Sequence, residues 1–175
     1  MIVINMYGAP GSGKTTIATG VFSKLKSMRL PVGLVTEYSR ELSYDHSLAL
    51  NDMPYILGCQ WHRMQQNKQD EICITDCPLP QLAIFYPSSL PESKALAFAL
   101  NSQFDNVNFL LKRKYPLYHP KGHSTEEAEK QMLFIEQKII ESLKKHNIEY
   151  EEIISNIDAV DAVVTKILLQ YKEKS

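Results

Sequence analysis

Apolar residues run along this chain in two rhythms, short solid blocks and longer stretches spaced at helical intervals. The run "IVINMY" at 2–7 is β-branched and apolar, and predicts a buried strand. From 14 to 29 the apolar positions Ile17, Val21, Phe22, Leu25 and Met28 fall roughly on one helical face. Pro31 ends that stretch, and "VGLVTE" predicts a second strand. A long helix is expected over 54–69, then a third strand in "EICITD" at 71–76. Pro78 and Pro80 break the chain. Two helical stretches, 79–86 and 92–104, flank a loop bounded by Pro87 and Pro91. "NVNFLLKR" at 106–113 predicts a fourth strand. The segment "KYPLYHPKGHS" at 114–124 reads as a loop. "STEEAEK" then opens a helix to about 146, with Ser124 or Thr125 as N-cap and acidic residues in its first turn. "IEYEEII" at 148–154 predicts a fifth strand, and 157–172 a closing helix.

Strands alternating with helices imply an α/β fold, a parallel sheet covered on both faces. No composition shift divides the chain, so residues 1–175 are expected to form one domain. The loop at about 114–123 reads as a lid rather than a linker.

Composition narrows the classes. Of 175 residues, 44% are apolar and 22% charged, which excludes disordered and fibrous chains. The net charge of −1 disfavours a generic nucleic-acid coat but leaves room for a local basic groove. No apolar run spans a membrane, and "MIVINMYG" carries neither a basic segment nor a cleavage site, so no membrane partner and no leader are expected. Cys59, Cys73 and Cys77 lack C-x-x-C spacing, which predicts reduced thiols in a cytoplasmic setting rather than disulfides or zinc.

The chemistry concentrates between the first strand and the first helix. "GAPGSGKT" at 8–15 matches G-x-x-x-x-G-K-[ST] at every specified position. Gly8, Gly11 and Gly13 let the backbone turn so that N–H groups across Gly8, Ala9, Pro10, Gly11, Ser12, Gly13, Lys14, Thr15 and Thr16 face phosphate oxygens, Pro10 contributing shape only. The helix that follows adds its N-terminal dipole. Lys14 supplies a charge for the β- and γ-phosphates, and Thr15 a hydroxyl for Mg²⁺. A nucleoside triphosphate, with ATP the expected donor, and magnesium are therefore the expected ligands.

In open α/β sheets ligands lie beyond the carboxyl ends of the strands. Asp76 ends the run "ICITD" and suits a magnesium-holding acid. Glu37 reads either as a general base for an acceptor hydroxyl or as a helix-start acid. Arg40 either pairs with Glu37 or binds the acceptor, and Gln60 and Arg63, three apart, either line an acceptor site or face solvent. Trp61 reads as a core residue or a stacking platform. Lys112, Arg113, Lys114 and Lys121 could neutralise a transferring phosphoryl group, with Arg113 the assigned catalytic cation. His119 and His123 have poor metal-pair spacing.

Taken as a set, "INMYGAPGSGKTT", "LVTEYSRE", "ITDCPL" and "YHPKGHSTEEAE" resemble small P-loop kinase-like proteins of the AAA-type ATPase family, which includes nicotinamide riboside kinase-type domains. The resemblance covers residue 2 to about 146 and is closer to short members encoded by tailed bacteriophages. It implies a P-loop NTPase fold, a three-layer α/β/α sandwich with a five-stranded parallel sheet in kinase-like order 2-3-1-4-5. It also implies ATP and Mg²⁺, with Glu37 and Asp76 flanking the reaction centre and a closing lid. Some phage kinases of this appearance phosphorylate 5-hydroxymethyluracil in DNA, so that acceptor, in a host cytoplasm, is the first expectation. Free nucleosides, nucleotides or nicotinamide riboside are the alternatives, and a nucleotide-driven switch is a different class again. The lid departs from the family by carrying Gly122-His123 where Gly-Arg is expected.

Overall fold

The computed structural model describes residues 1–46, 48–85, 90–113 and 125–174. The expected lid, with Lys114, His119, Lys121, Gly122 and His123, lies outside the described residues, as does Ser124. Five strands form the sheet: β1 (Ile2–Tyr7), β2 (Val32–Val35), β3 (Ile72–Thr75), β4 (Asp105–Arg113) and β5 (Glu151–Ser155). Their order is β2-β3-β1-β4-β5, and every pairing is parallel. Among the described residues seven α-helices pack against them: α1 (Lys14–Ser27), α2 (Tyr38–Tyr44), α3 (Met53–Gln66), α4 (Leu79–Phe85), α5 (Pro91–Asn101), α6 (Thr125–Lys145) and α7 (Ala159–Lys174). This is the P-loop kinase fold.

The central position of β1 explains why its sequence shows no alternation. All six of its residues are buried because helices cover both faces. Ile2, Ile4 and Met6 face α1 and α7, with Val107, Phe109 and Leu111 of β4 beside them. Val3 points the other way, into a core with Cys73 and with Ile56, Leu57 and Met64 of α3. Tyr7 and Leu110 meet Ile139 and Leu143 of α6 on that second face. Truncating any of these buried aliphatic side chains to alanine costs about 2–5 kcal/mol.

Several local expectations shift. Helix α1 ends at Ser27, and Met28, expected on the buried face, is its C-cap and 45% exposed. Arg29 follows in the left-handed region at φ 61°, which turns the chain toward β2. Strand β2 stops at Val35, which frees Thr36 and Glu37 from the sheet. Strand β5 begins at Glu151, opposite Phe109, while Ile148 and Tyr150 pack against the α6 core. Helix α2 was expected only as the helix-start reading of Glu37, without bounds, and the 3-10 turn Leu48–Asn51 was not expected. Only Leu42 of α2 is buried, too little apolar content to produce a helical signature. Among the described residues no helix is long and apolar enough to cross a membrane.

Candidate active site

The glycine loop bridges the end of β1 and the start of α1 at the carboxyl edge of the sheet. Gly11 and Gly13 take φ values of 72° and 88°, a region that penalises a side chain. At Gly8 a methyl group would collide with Ser12 Oγ and sit 3.1 Å from the Leu111 carbonyl. Gly13 caps α1 without a side-chain hydrogen bond, so the first N–H groups of that helix face the loop. The loop is pinned from outside. Gly8 N–H donates to Gln81 Oε1 at 3.0 Å, and Ser155 Oγ donates to the Ser12 carbonyl.

Lys14 is 7% exposed and folds over the loop, donating to the carbonyls of Gly8 (2.9 Å) and Ala9 (3.1 Å). Burial pushes its ammonium below the ordinary lysine value, and Glu37, Cys77 and Asp76 oppose that shift. An ammonium so desolvated gains from a phosphate more than a solvated one does.

Thr15 Oγ1 donates to Asp76 Oδ2. Asp76 is 1% exposed, and its Oδ1 has no hydrogen-bond partner among the described residues. Ser12 Oγ is buried and equally unpartnered. Buried polar atoms in proteins are nearly always satisfied, so orphans beside a phosphate loop are the mark of a site completed by ligand. This donor set suits magnesium. That ion takes one or two protein oxygens and keeps water and phosphate for the rest. Thr15 and Asp76 would hold it. No cluster of three or more His, Cys, Asp and Glu among the described residues offers an all-protein metal cage.

Glu37 is the N-cap of α2, which aims its carboxylate back at the loop. Its Oε1 accepts from Ser39 Oγ at 2.6 Å and its Oε2 from Arg40 Nη2 at 3.3 Å. Arg40 also donates through Nη1 to Thr15 Oγ1 at 2.8 Å. Lys14, Thr15, Glu37, Arg40 and Asp76, distant in sequence, thus converge.

Lys14, Thr15, Glu37 and Arg40 line a cavity of about 740 Å³, and Asp76 is tied to it through Thr15. Lys14, Thr15 and Thr16 line it together with Glu37, Ser39, Arg40 and Ser43. Tyr44, Leu50 and Phe85 add an apolar rim, and Gln81 joins the wall. Sequence reasoning missed Gln81 and this rim. Gln81 carries no local signal, because its role comes from a contact 73 positions away.

Two expected acceptor residues stand elsewhere. Gln60 is fully buried beneath α2 and lines no part of the cavity. Its Oε1 accepts from Tyr38 N–H at 3.1 Å, and its Nε2 donates to the Cys77 carbonyl at 3.3 Å. Arg63 makes a two-bond fork to Glu41 at 2.6 Å for each bond and lies over the Tyr38 ring. That fork lowers the Glu41 carboxyl and raises the Arg63 guanidinium from their ordinary values. Both residues hold α2 in place. Trp61 packs against Phe104 in the core. Arg113 is half-buried at the end of β4 and is not among the cavity-lining residues. Lys112 is committed to Glu136 at 2.7 Å.

A family model described as an AAA domain matches residues 3–159. No curated protein matches the sequence. Among solved structures, thymidylate kinase from Ehrlichia chaffeensis aligns with a TM-score of 0.63 at 15% identity, over 97% of this chain and 98% of that one. An APS kinase mutant from Mycobacterium tuberculosis aligns with a TM-score of 0.44 at 17% identity, over 77% of this chain and 96% of that one. At such identities the likeness to thymidylate kinase speaks for the fold, the same β2-β3-β1-β4-β5 sandwich. With its phosphate loop, strand-end acid and helical layers inside the matched span of 3–159, the chain belongs to the AAA domain family.

Proposed function

We propose that this protein is a kinase that moves the γ-phosphoryl group of ATP, with magnesium, to a hydroxyl of a nucleoside-type acceptor. The observation that supports this most is a cavity of about 740 Å³ lined both by the phosphate loop and by Glu37 and Arg40. An ATPase that only hydrolyses needs room for water. This cavity leaves space for a second substrate beside Lys14.

Bound magnesium would neutralise phosphate charge, and Lys14 and the loop N–H groups would hold the triphosphate. Glu37 takes the proton from the acceptor hydroxyl as its oxygen bonds to the γ-phosphorus and ADP leaves. Ser39 and Arg40 fix the Glu37 carboxylate for that task. Tyr44, 74% exposed, and Phe85, 49% exposed, present ring surface at the cavity mouth, which suits a planar base. The family resemblance favours 5-hydroxymethyluracil in phage DNA, a base that leaves the stack to be modified. A free nucleoside or nucleotide is the second reading. It is favoured by Lys112, whose ion pair with Glu136 removes one cation from a DNA-facing role.

The test is labelled-phosphate transfer from ATP to a panel: nucleosides, nucleoside monophosphates, nicotinamide riboside, plain DNA and DNA containing 5-hydroxymethyluracil. Label on modified DNA alone selects the first reading, and label on a free small molecule the second. Lys14→Ala is expected to abolish transfer with its circular dichroism unchanged. Bound ATP with no labelled product from any acceptor would overturn the kinase proposal in favour of a switch.

A further inference from the structure

The Arg40 guanidinium stands beside the two side chains assigned above to magnesium. Its Nη1 donates to Thr15 Oγ1 at 2.8 Å and lies 4.0 Å from Asp76 Oδ2. A threonine hydroxyl has one proton and two lone pairs. Here the proton goes to Asp76 and one lone pair to Arg40. Magnesium at about 2.0–2.1 Å on the remaining lone pair of Thr15 Oγ1 would stand next to a guanidinium of like charge held by the same atom.

The arrangement has an electrostatic cause. Asp76 is 1% exposed, and a carboxylate that deep is costly without a cation. Lys14 acts on Asp76 only through space, because its ammonium donates to the carbonyls of Gly8 and Ala9. Arg40 reaches across from α2 instead, with its second nitrogen on Glu37 at 3.3 Å. Its side chain is 40% exposed, so it has a route out toward the cavity.

We infer that Arg40 is the resident counter-cation of the Thr15–Asp76 pair in the nucleotide-free protein, and that magnesium nucleotide displaces it into the cavity beside Glu37. The metal position is then guarded until nucleotide arrives. Displacement delivers a guanidinium to the side of the cavity where the acceptor binds. This inference rests on the assignment of Thr15 and Asp76 to magnesium.

The experiment titrates Mn²⁺ alone into nucleotide-free protein and reads free Mn²⁺ by electron paramagnetic resonance. Arg40→Gln is expected to bind Mn²⁺ about tenfold more tightly than wild type, since one charge-assisted hydrogen bond no longer competes. Lys24→Gln removes a charge paired with Asp161 and touches neither Thr15 nor α2, and is expected to leave the affinity unchanged. Equal Mn²⁺ affinity in folded Arg40→Gln and wild type overturns the inference, and so does equal tightening in Lys24→Gln. If the glutamine variant fails to fold, Arg40→Met decides by the same criterion, because it keeps the apolar stem and removes the charge. Asp76→Asn separates the two layers. Mn²⁺ binding that ignores Asp76→Asn sinks the metal assignment itself. Binding lost in Asp76→Asn but unmoved by Arg40→Gln sinks only the role of Arg40.

Discussion

Replacing Gln60 by methionine separates a positioning residue from a substrate contact. Methionine has similar length, so the substitution removes hydrogen bonds with little change in volume. Three contacts go: Tyr38 N–H to Oε1 at 3.1 Å, Nε2 to the Cys77 carbonyl at 3.3 Å, and Nε2 to Thr75 Oγ1 at 3.4 Å. The last is long, and Thr75 Oγ1 still accepts from Cys77 N–H at 3.1 Å, so its loss counts for little. The other two leave a backbone donor and a backbone acceptor without partners, at about 1–3 kcal/mol each. The sum is about 2–6 kcal/mol, large beside a typical total stability of about 5–15 kcal/mol. With a urea m-value of about 2 kcal/mol/M, a loss of about 3 kcal/mol lowers the unfolding midpoint by about 1.5 M. The assay is urea unfolding followed by circular dichroism, with transfer kinetics on the folded variant. Because Tyr38 opens α2, turnover should also fall as Glu37 and Arg40 lose their anchor. A midpoint within about 0.3 M of wild type, together with a raised KM for the acceptor, would refute the reasoning and return Gln60 to the substrate site.

Further outcomes follow from the same geometry. Gly8→Ala pushes a methyl group into Ser12 Oγ and toward the Leu111 carbonyl, so nucleotide affinity measured by calorimetry should fall at least about tenfold. Glu37→Gln should keep ATP affinity and lower turnover by about 10²–10⁴-fold, the usual share of a general base, and unchanged turnover would leave Glu37 as a helix cap only. Burial raises the Cys73 thiol to about 12 and the Cys77 thiol well above its ordinary value, with Glu37 and Asp76 adding to the latter. Thiolate is the reactive form, so at pH 8 a colorimetric thiol reagent should titrate Cys59 rapidly, with Cys73 and Cys77 appearing only on unfolding.

What the sequence determined by itself was local. Four apolar blocks became β1 to β4 because a covered sheet needs continuous apolar runs, visible within a few residues, while the edge strand β5 buries only Ile153. The phosphate loop was equally legible, since its glycines, Lys14 and Thr15 act within one turn of chain. The strand order came through the family resemblance, because periodicity carries no information about which strands pair. The tertiary structure decided the rest. It brought Gln81 to Gly8 and Arg40 to Thr15, and it turned Gln60 inward under Tyr38. It also made a helix of "YSRELSY", which has too few apolar positions to announce one. Each of these depends on contacts between segments far apart in the chain. Side-chain partners across a sheet edge are set by the packing of whole layers, whereas a strand or a phosphate loop is set by its own few residues.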